Sequence, residues 1–174
     1  MIAKIILGNS FEGAVRYVFS KERSRYLCGT FGGKTPGEIL MEGRVFLDVM
    51  ETFPWQKNTV FHESISILPG EVLSEEAWRQ VAEDHMEYMG FGGSPWVAVR
   101  HNDRPHPHMH VVALRMTEEY KVVENVFKSA ERAAWHLMKM SLRYGVSAVK
   151  TNRIKFLEEH GVTVENSETP EIRI

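Results

Sequence analysis

The chain contains a single cysteine, Cys28. One thiol cannot build an intramolecular disulfide framework, and its isolation fits a reducing compartment. Also missing is any apolar run near the ~20 residues of a membrane span. The opening stretch, Met1-Ile2-Ala3-Lys4-Ile5-Ile6-Leu7, is too short for a signal peptide and reads as a strand. An excess of one charge is absent as well. The formal net charge of −2 lacks the global basic signature of a protein that coats nucleic acid, but it leaves room for a local basic groove. There is no internal repeat and no low-complexity segment. What remains is a soluble, intracellular chain of 174 residues, long enough for one domain with a full core.

Against these absences stands one dense cluster. Four of the eight histidines fall in His101-Asn102-Asp103-Arg104-Pro105-His106-Pro107-His108-Met109-His110. A strand starting at His108 turns His108 and His110 to one face and sends Met109 and Val111 to the other. With His101 arriving from seven residues upstream, three imidazoles can converge on one divalent cation. Three such ligands leave coordination positions open, which marks a catalytic rather than a closed structural site. The cluster is internal and runs into Val111-Val112-Ala113-Leu114, so it is not a purification tag.

The rest of the chain supplies a scaffold. Residues 2–7 read as a strand, with Ser10 placed to cap a helix carrying Phe11, Ala14, Val15 and Val18 on its inner face. Tyr17 falls off that face. Tyr26-Leu27-Cys28 reads as a short strand, and Gly29, Gly32 and Gly33 as a loop open to close approach of a ligand. Thr35-Pro36 opens a helix that runs to Met50. In the strand 58–68, Phe61, Glu63, Ile65 and Ile67 share one parity; His62, Ser64, Ser66 and Leu68 share the other. A helix after Ser74 carries Trp78, Val81, Ala82, His85 and Met89 inward and ends at Gly90. Strands over 95–100 and 108–115 flank the histidine segment. A last helix over 127–144 turns Phe127, Ala130, Ala134, Leu137 and Met138 inward, and a short helix-like segment follows Lys150. Trp55, Trp78, Trp96 and Trp135 read mainly as core. The order β α β α β α β β α predicts an α+β fold, a central antiparallel sheet of about five strands flanked by helices.

The segment His101-x-Asp103-x-x-His106-Pro107-His108-Met109-His110 resembles the signature of relaxases, the mobilization nucleases of the HUH endonuclease superfamily. Gly8-Asn9-Ser10-Phe11-x-Gly13-Ala14-x-x-Tyr17-Val18 is similar to the family's N-terminal motif, which holds a nucleophilic tyrosine. Ser64-Ile65-Ser66 with Pro69-Gly70-Glu71 resembles its middle strand and turn. Phe127-Lys128-Ser129-x-Glu131, ending in Tyr144-Gly145, is similar to the helix after the metal motif. The resemblance covers roughly residues 1–146 and implies a nuclease domain over 1–150. It makes 151–174 a C-terminal extension, the start of a region that relatives carry further.

The resemblance implies cleavage and rejoining of one DNA strand at the transfer origin of a plasmid or transposon, in a bacterial cytoplasm and without membrane insertion. Tyr17 would become joined to the 5′ phosphate. One divalent ion, Mn²⁺, Mg²⁺ or another metal, would be held by His101, His108 and His110 and would stabilise charge on the phosphoryl oxygens. The implied partners are single-stranded DNA, accessory relaxosome proteins and a type IV secretion coupling protein. Asp103 is read as orienting a metal-binding histidine or accepting the tyrosine proton. Lys21, Arg23, Arg25, Ser66 and His106 are candidate DNA contacts. Tyr26 is a rival nucleophile. Competing functions are a replication-initiator HUH endonuclease, a non-haem iron oxygenase using His and carboxylate ligands, and a DNA-binding module with a structural metal, for which Cys28 is the only thiol.

Overall fold

In the computed structural model, the described residues are 1–53, 55–123, 129–149, Lys155 and Glu159. The elements are β1 (Ile2–Gly8), α1 (Phe11–Phe19), β2 (Arg25–Gly29), α2 (Pro36–Met50), β3 (Val60–Ser66), α3 (Glu75–Met89), β4 (Trp96–His101), β5 (His108–Leu114) and α4 (Ser129–Arg143). They follow the order expected from periodicity. The five strands form one sheet in the order β1-β3-β5-β4-β2, antiparallel throughout. Among the described residues, no helix is long and apolar enough to cross a membrane.

The helices start where the sequence provides oxygen acceptors for free backbone N–H groups. The Ser10 hydroxyl accepts from the Gly13 N–H at the start of α1. Thr35 and Glu38 form a reciprocal capping box on α2, with Pro36 following. Ser74 caps α3, which ends on Gly90 at φ 90°, a left-handed conformation that only glycine adopts without cost.

Strand parity then sorts side chains into two layers. Phe61, Ile65, Met109, Val111, Ala113 and Ala98 pack with Trp78, Val81, Ala82 and Met86 of α3 and with Ala133, Leu137 and Met140 of α4. On the opposite face, Val60, Val97, Val99, Val112 and Leu114 pack beneath Phe11, Val15 and Val18 of α1 and Ile39 of α2. Trp78, Trp96 and Trp135 are buried, whereas Trp55 is exposed. In α4 the inward stripe differs from expectation, because Ala130 is exposed while Trp135 and Met138 form a small cluster of their own. That helix is apolar on two sides, so periodicity alone does not select one. Phe127, Lys150 and the extension 151–174, apart from Lys155 and Glu159, lie outside the described residues.

Two local features set the frame of the site. The first is Gly43 of α2, where a Cβ would come within 2.3 Å of the Phe11 ring. The missing side chain lets α1 lie close on α2 and thereby positions the helix that carries Tyr17. The second is a polar chain through the α3/α4 layer. His85 Nε2 donates to the fully buried Glu63 carboxylate at 3.1 and 3.2 Å, and its Nδ1 lies 2.9 Å from His136 Nδ1. His136 stacks on Tyr88, with ring centroids 4.3 Å apart. Paired in this way, the carboxylate of β3 is accommodated in an otherwise apolar layer.

Two outcomes follow from this packing. Gly43→Val should drive a side chain into Phe11 and destabilise the fold by about 1–3 kcal/mol, seen as a lower denaturant midpoint at an unchanged slope; a neutral result would show that α1 can shift freely. Burial, and then the field of His85, pushes the His136 imidazole down to about 3. The native state thus resists a proton that the unfolded chain accepts near pH ~6.5. That contribution is complete above the unfolded value and is lost as pH falls below it. The melting temperature should therefore drop between about pH 7 and pH 5, and less steeply in His136→Phe, which keeps an aromatic face for Tyr88. Identical slopes would remove His136 from that acid sensitivity.

Candidate active site

The register of β4 and β5 brings the histidines together. His101 pairs directly with His108 across the turn 102–107, and His110 lies opposite Val99. On the other side of β5, Ser66 pairs with His108 and Ser64 with His110. Alternation turns His101, His108, His110, Ser64, Ser66 and His62 to one face. The ring centroids of His101 and His110 are 4.5 Å apart, those of His101 and His108 5.2 Å, and those of His108 and His110 5.3 Å. One nitrogen from each of the three lies within 4.8 Å of the others.

Each ring has one nitrogen engaged and one free. His101 Nε2–H donates to the Val18 carbonyl at 2.7 Å, leaving Nδ1. His108 Nδ1–H donates to the His106 carbonyl at 3.2 Å, leaving Nε2. His110 Nδ1 lies 2.9 Å from His62 Nε2, which leaves its own Nε2. Outer partners that fix the tautomer and direction of an imidazole are the usual support of a metal ligand. Burial lowers the proton affinity of His62, His101 and His108. It pushes His110 down to about 3, helped by the fields of His101, His62, His108 and Arg104. All are held in the neutral form that a cation requires. The donor set therefore fits a divalent ion held by nitrogen, with open positions for substrate.

Asp103 stands elsewhere than behind a ring. Its Oδ1 is 3.5 Å from His108 Nε2 and 4.0 Å from His101 Nδ1, beside the two free nitrogens. The Val18 and His106 carbonyls orient these imidazoles instead.

Tyr17 reaches the same place from α1. Tyr17 is 41% exposed, and its ring meets His110 edge-on, with centroids 5.7 Å apart and planes at 85°; His62 lies at 5.9 Å. Lys21 Nζ sits 4.9 Å from the Tyr17 ring centroid. Tyr17, His62 and the three imidazoles line a recess of about 190 Å³, together with Lys4, Ile6, Ser64, Ser66, Arg104 and His106. Asp103 is the one carboxylate among the described residues lining it. The wall is locally basic although the chain is slightly acidic.

Of the other residues singled out in the sequence, Ser66 and His106 line the recess, and Lys21 borders it through Tyr17. Arg25 is tied to Glu75 of α3, on the far side of the sheet. Exposed Arg23 lies 3.9 Å from Glu22 and does not line the recess. Tyr26 packs into the α1/α2 layer. Cys28 packs with the α3/α4 layer, remote from the imidazoles, so it cannot complete a fourfold metal site with them. The Gly32 and Gly33 N–H groups, expected to be open to a ligand, donate to the Glu42 carboxylate at 2.9 and 2.7 Å. His62 lines the recess as well. Its parity with Ser64 and Ser66 placed it on this face, but nothing in the chain order paired it with His110.

The single sheet has none of the short-strand jelly-roll character that an oxygenase triad on such a scaffold would require. A family model described as relaxase, MobA/VirD2-like, nuclease domain, matches residues 17–146, well over half of the chain. No individual curated protein matches it. The matched span starts at Tyr17 and takes in every residue of the histidine cluster, and the chain belongs to this relaxase family through its nuclease domain.

Proposed function

We propose that the protein nicks and rejoins one DNA strand at the transfer origin of a mobile element, through a covalent 5′-phosphotyrosine on Tyr17. The observation that carries this reading is the exposed Tyr17 ring held edge-on to His110, in a basic recess it shares with three inward-facing imidazoles. His101, His108 and His110 would hold one divalent cation. When bound, that ion supplies charge stabilisation at the phosphoryl oxygens. Tyr17 is the nucleophile, attacking in line with the departing 3′ oxygen. A phosphotyrosine retains a phosphodiester bond, so the free 3′ hydroxyl can reverse the step without ATP. Lys4, Lys21 and Arg104 offer positive charge to the DNA backbone; Ser66 and His106 offer hydrogen bonds. Asp103 brings negative charge to the cation position or receives the Tyr17 proton. The preferred partner is single-stranded DNA, whose unpaired backbone can enter the recess. Relaxosome proteins and a type IV secretion coupling protein are the proposed further partners, and the bacterial cytoplasm the proposed location.

The metal reading is tested by calorimetry. The wild type should bind one ion, with Mn²⁺, Co²⁺, Ni²⁺ and Zn²⁺ preferred over Mg²⁺ because the donors are nitrogens. A His108→Ala, His110→Ala double variant should lose that binding while remaining folded. Asp103→Asn, which removes a negative charge beside the cation position, should weaken it. Unchanged affinity in the double variant would remove the site.

The nucleophile is tested by incubating the protein with Mn²⁺ and random single-stranded oligonucleotides. A covalent adduct should form on Tyr17, and mass spectrometry should locate it there. Tyr17→Phe should bind metal normally and lose cleavage by at least about 10³-fold, whereas Tyr26→Phe should keep most activity. An adduct on Tyr26 would overturn the assignment. Cleavage without any adduct would point to attack by water.

A further inference from the structure

Tyr17 separates two recesses. One holds the imidazoles. The other, of about 400 Å³, adjoins it at Tyr17, Ile6 and His62 and is lined further by Gly8, Ala14 and Val60, with Asn9, Ser10 and Gly13 also on its wall. Two of its polar oxygens are engaged within the fold. The Ser10 hydroxyl accepts from the Gly13 N–H at 3.1 Å, and the Asn9 side-chain oxygen accepts from the Thr59 N–H at 3.3 Å. What faces the opening is mainly apolar.

Gly8 keeps this recess open. It ends β1 in register with Val60 and shares its face with Ile6. A Cβ at Gly8 would meet nothing within 4 Å, so a side chain there would project into free space. Neither packing nor a left-handed backbone requires glycine at this position.

The stereochemistry of attack says what belongs in the space. In an in-line displacement the attacking and leaving oxygens lie on opposite sides of phosphorus. The nucleoside leaving through its 3′ oxygen thus lies across the phosphate from Tyr17. The nucleoside attached through its 5′ oxygen stays on phosphorus together with Tyr17, beside the phenol, from the first contact to the covalent product. We propose that the apolar recess is the binding site for the nucleobase immediately 3′ of the scissile phosphate, the base whose nucleotide becomes joined to Tyr17. This rests on the nuclease reading above. Because its lining is mainly apolar, the recess receives that base chiefly by shape and apolar contact.

The test uses the Zn²⁺-loaded protein with methyl and imidazole resonances assigned. The probes are thymidine 5′-monophosphate, thymidine 3′-monophosphate and inorganic phosphate. All three should shift the imidazole signals of His108 and His110. Only the 5′ isomer should also shift the methyl signals of Ala14 and Val60, which line the apolar recess and not the metal-side one. Gly8→Leu should abolish the methyl response and leave the imidazole response intact. Ile6→Ser, at a position 52% exposed, should weaken the methyl response and serves if Gly8→Leu does not fold. Methyl signals unmoved by the 5′ isomer, or moved equally by the 3′ isomer, would overturn the recess assignment alone. Imidazoles that respond to none of the three probes would overturn the nuclease-site reading, and this proposal with it.

Discussion

The pairing of His101 with His108 across β4 and β5 is the contact on which the site depends. Side chains directly opposed on one face of an antiparallel pair are neighbours. This single register therefore brings together two imidazoles that a proline-interrupted turn separates in sequence. His110 follows by alternation. A slip of one residue would turn His108 and His110 into the α3/α4 layer and bring Met109 to the recess. The register is secured on both sides. The neighbouring strand β3 pairs with β5 from Val60 to Ser66, and the Arg100 guanidinium donates to the His108 carbonyl while lying over the Trp78 ring.

Burial of several imidazoles side by side carries a cost. Removed from water, each loses hydration of the charged form, and each protonated neighbour would repel the next. The structure meets this by keeping them neutral and supplying outer partners at Val18, His106 and His62. One of these, the Val18 carbonyl, belongs to the helix that carries Tyr17. His101 is thus tied by a 2.7 Å hydrogen bond to the residue that follows Tyr17 in the same helix, and it shares a recess with Tyr17. Gly43 contributes at one remove, since α1 reaches that position only because α2 presents no side chain to Phe11.

Much of this was legible in the chain because periodicity and parity are local. The alternation in β3 and β5 separates site-facing from core-facing residues without knowledge of the fold. Caps such as Ser10, Thr35 and Ser74 mark helix starts in the same way. What was not legible involves partners distant in sequence. His62 and His110 are 48 residues apart, and only the β3/β5 pairing makes them neighbours. Glu63 at an inward position looked like a conflict of pattern until His85 and His136 arrived from two helices. Arg25 belonged by sequence to a basic run with Lys21 and Arg23, but the strand it begins turns it toward Glu75 on the opposite face. Asp103 was legible as a companion of the histidines, but not the side from which it approaches them.

The helices cover the histidine-bearing face of the sheet unevenly. α1 and α2 bury the part formed by Val97, Val99, Val112 and Leu114, leaving the outward side of β1 bare. Ile2 and Ile6 are 43% and 52% exposed there, and Lys4 stands between them. An edge strand with exposed apolar side chains is ordinarily a liability for association. Here that bare strip adjoins the metal-side recess through Lys4 and Ile6 and continues past Tyr17 into the second recess. A single strand of nucleic acid needs such an alternation, charge for its phosphates and apolar surface for its bases. The slight net acidity of the chain is no obstacle, because the acidic side chains lie largely elsewhere: Asp103 alone among the lining residues is a carboxylate. A net charge of −2 limits non-specific attraction to duplex DNA, which scales with the number of phosphates neutralised. More of the selection then falls to the shape of the surfaces on either side of Tyr17.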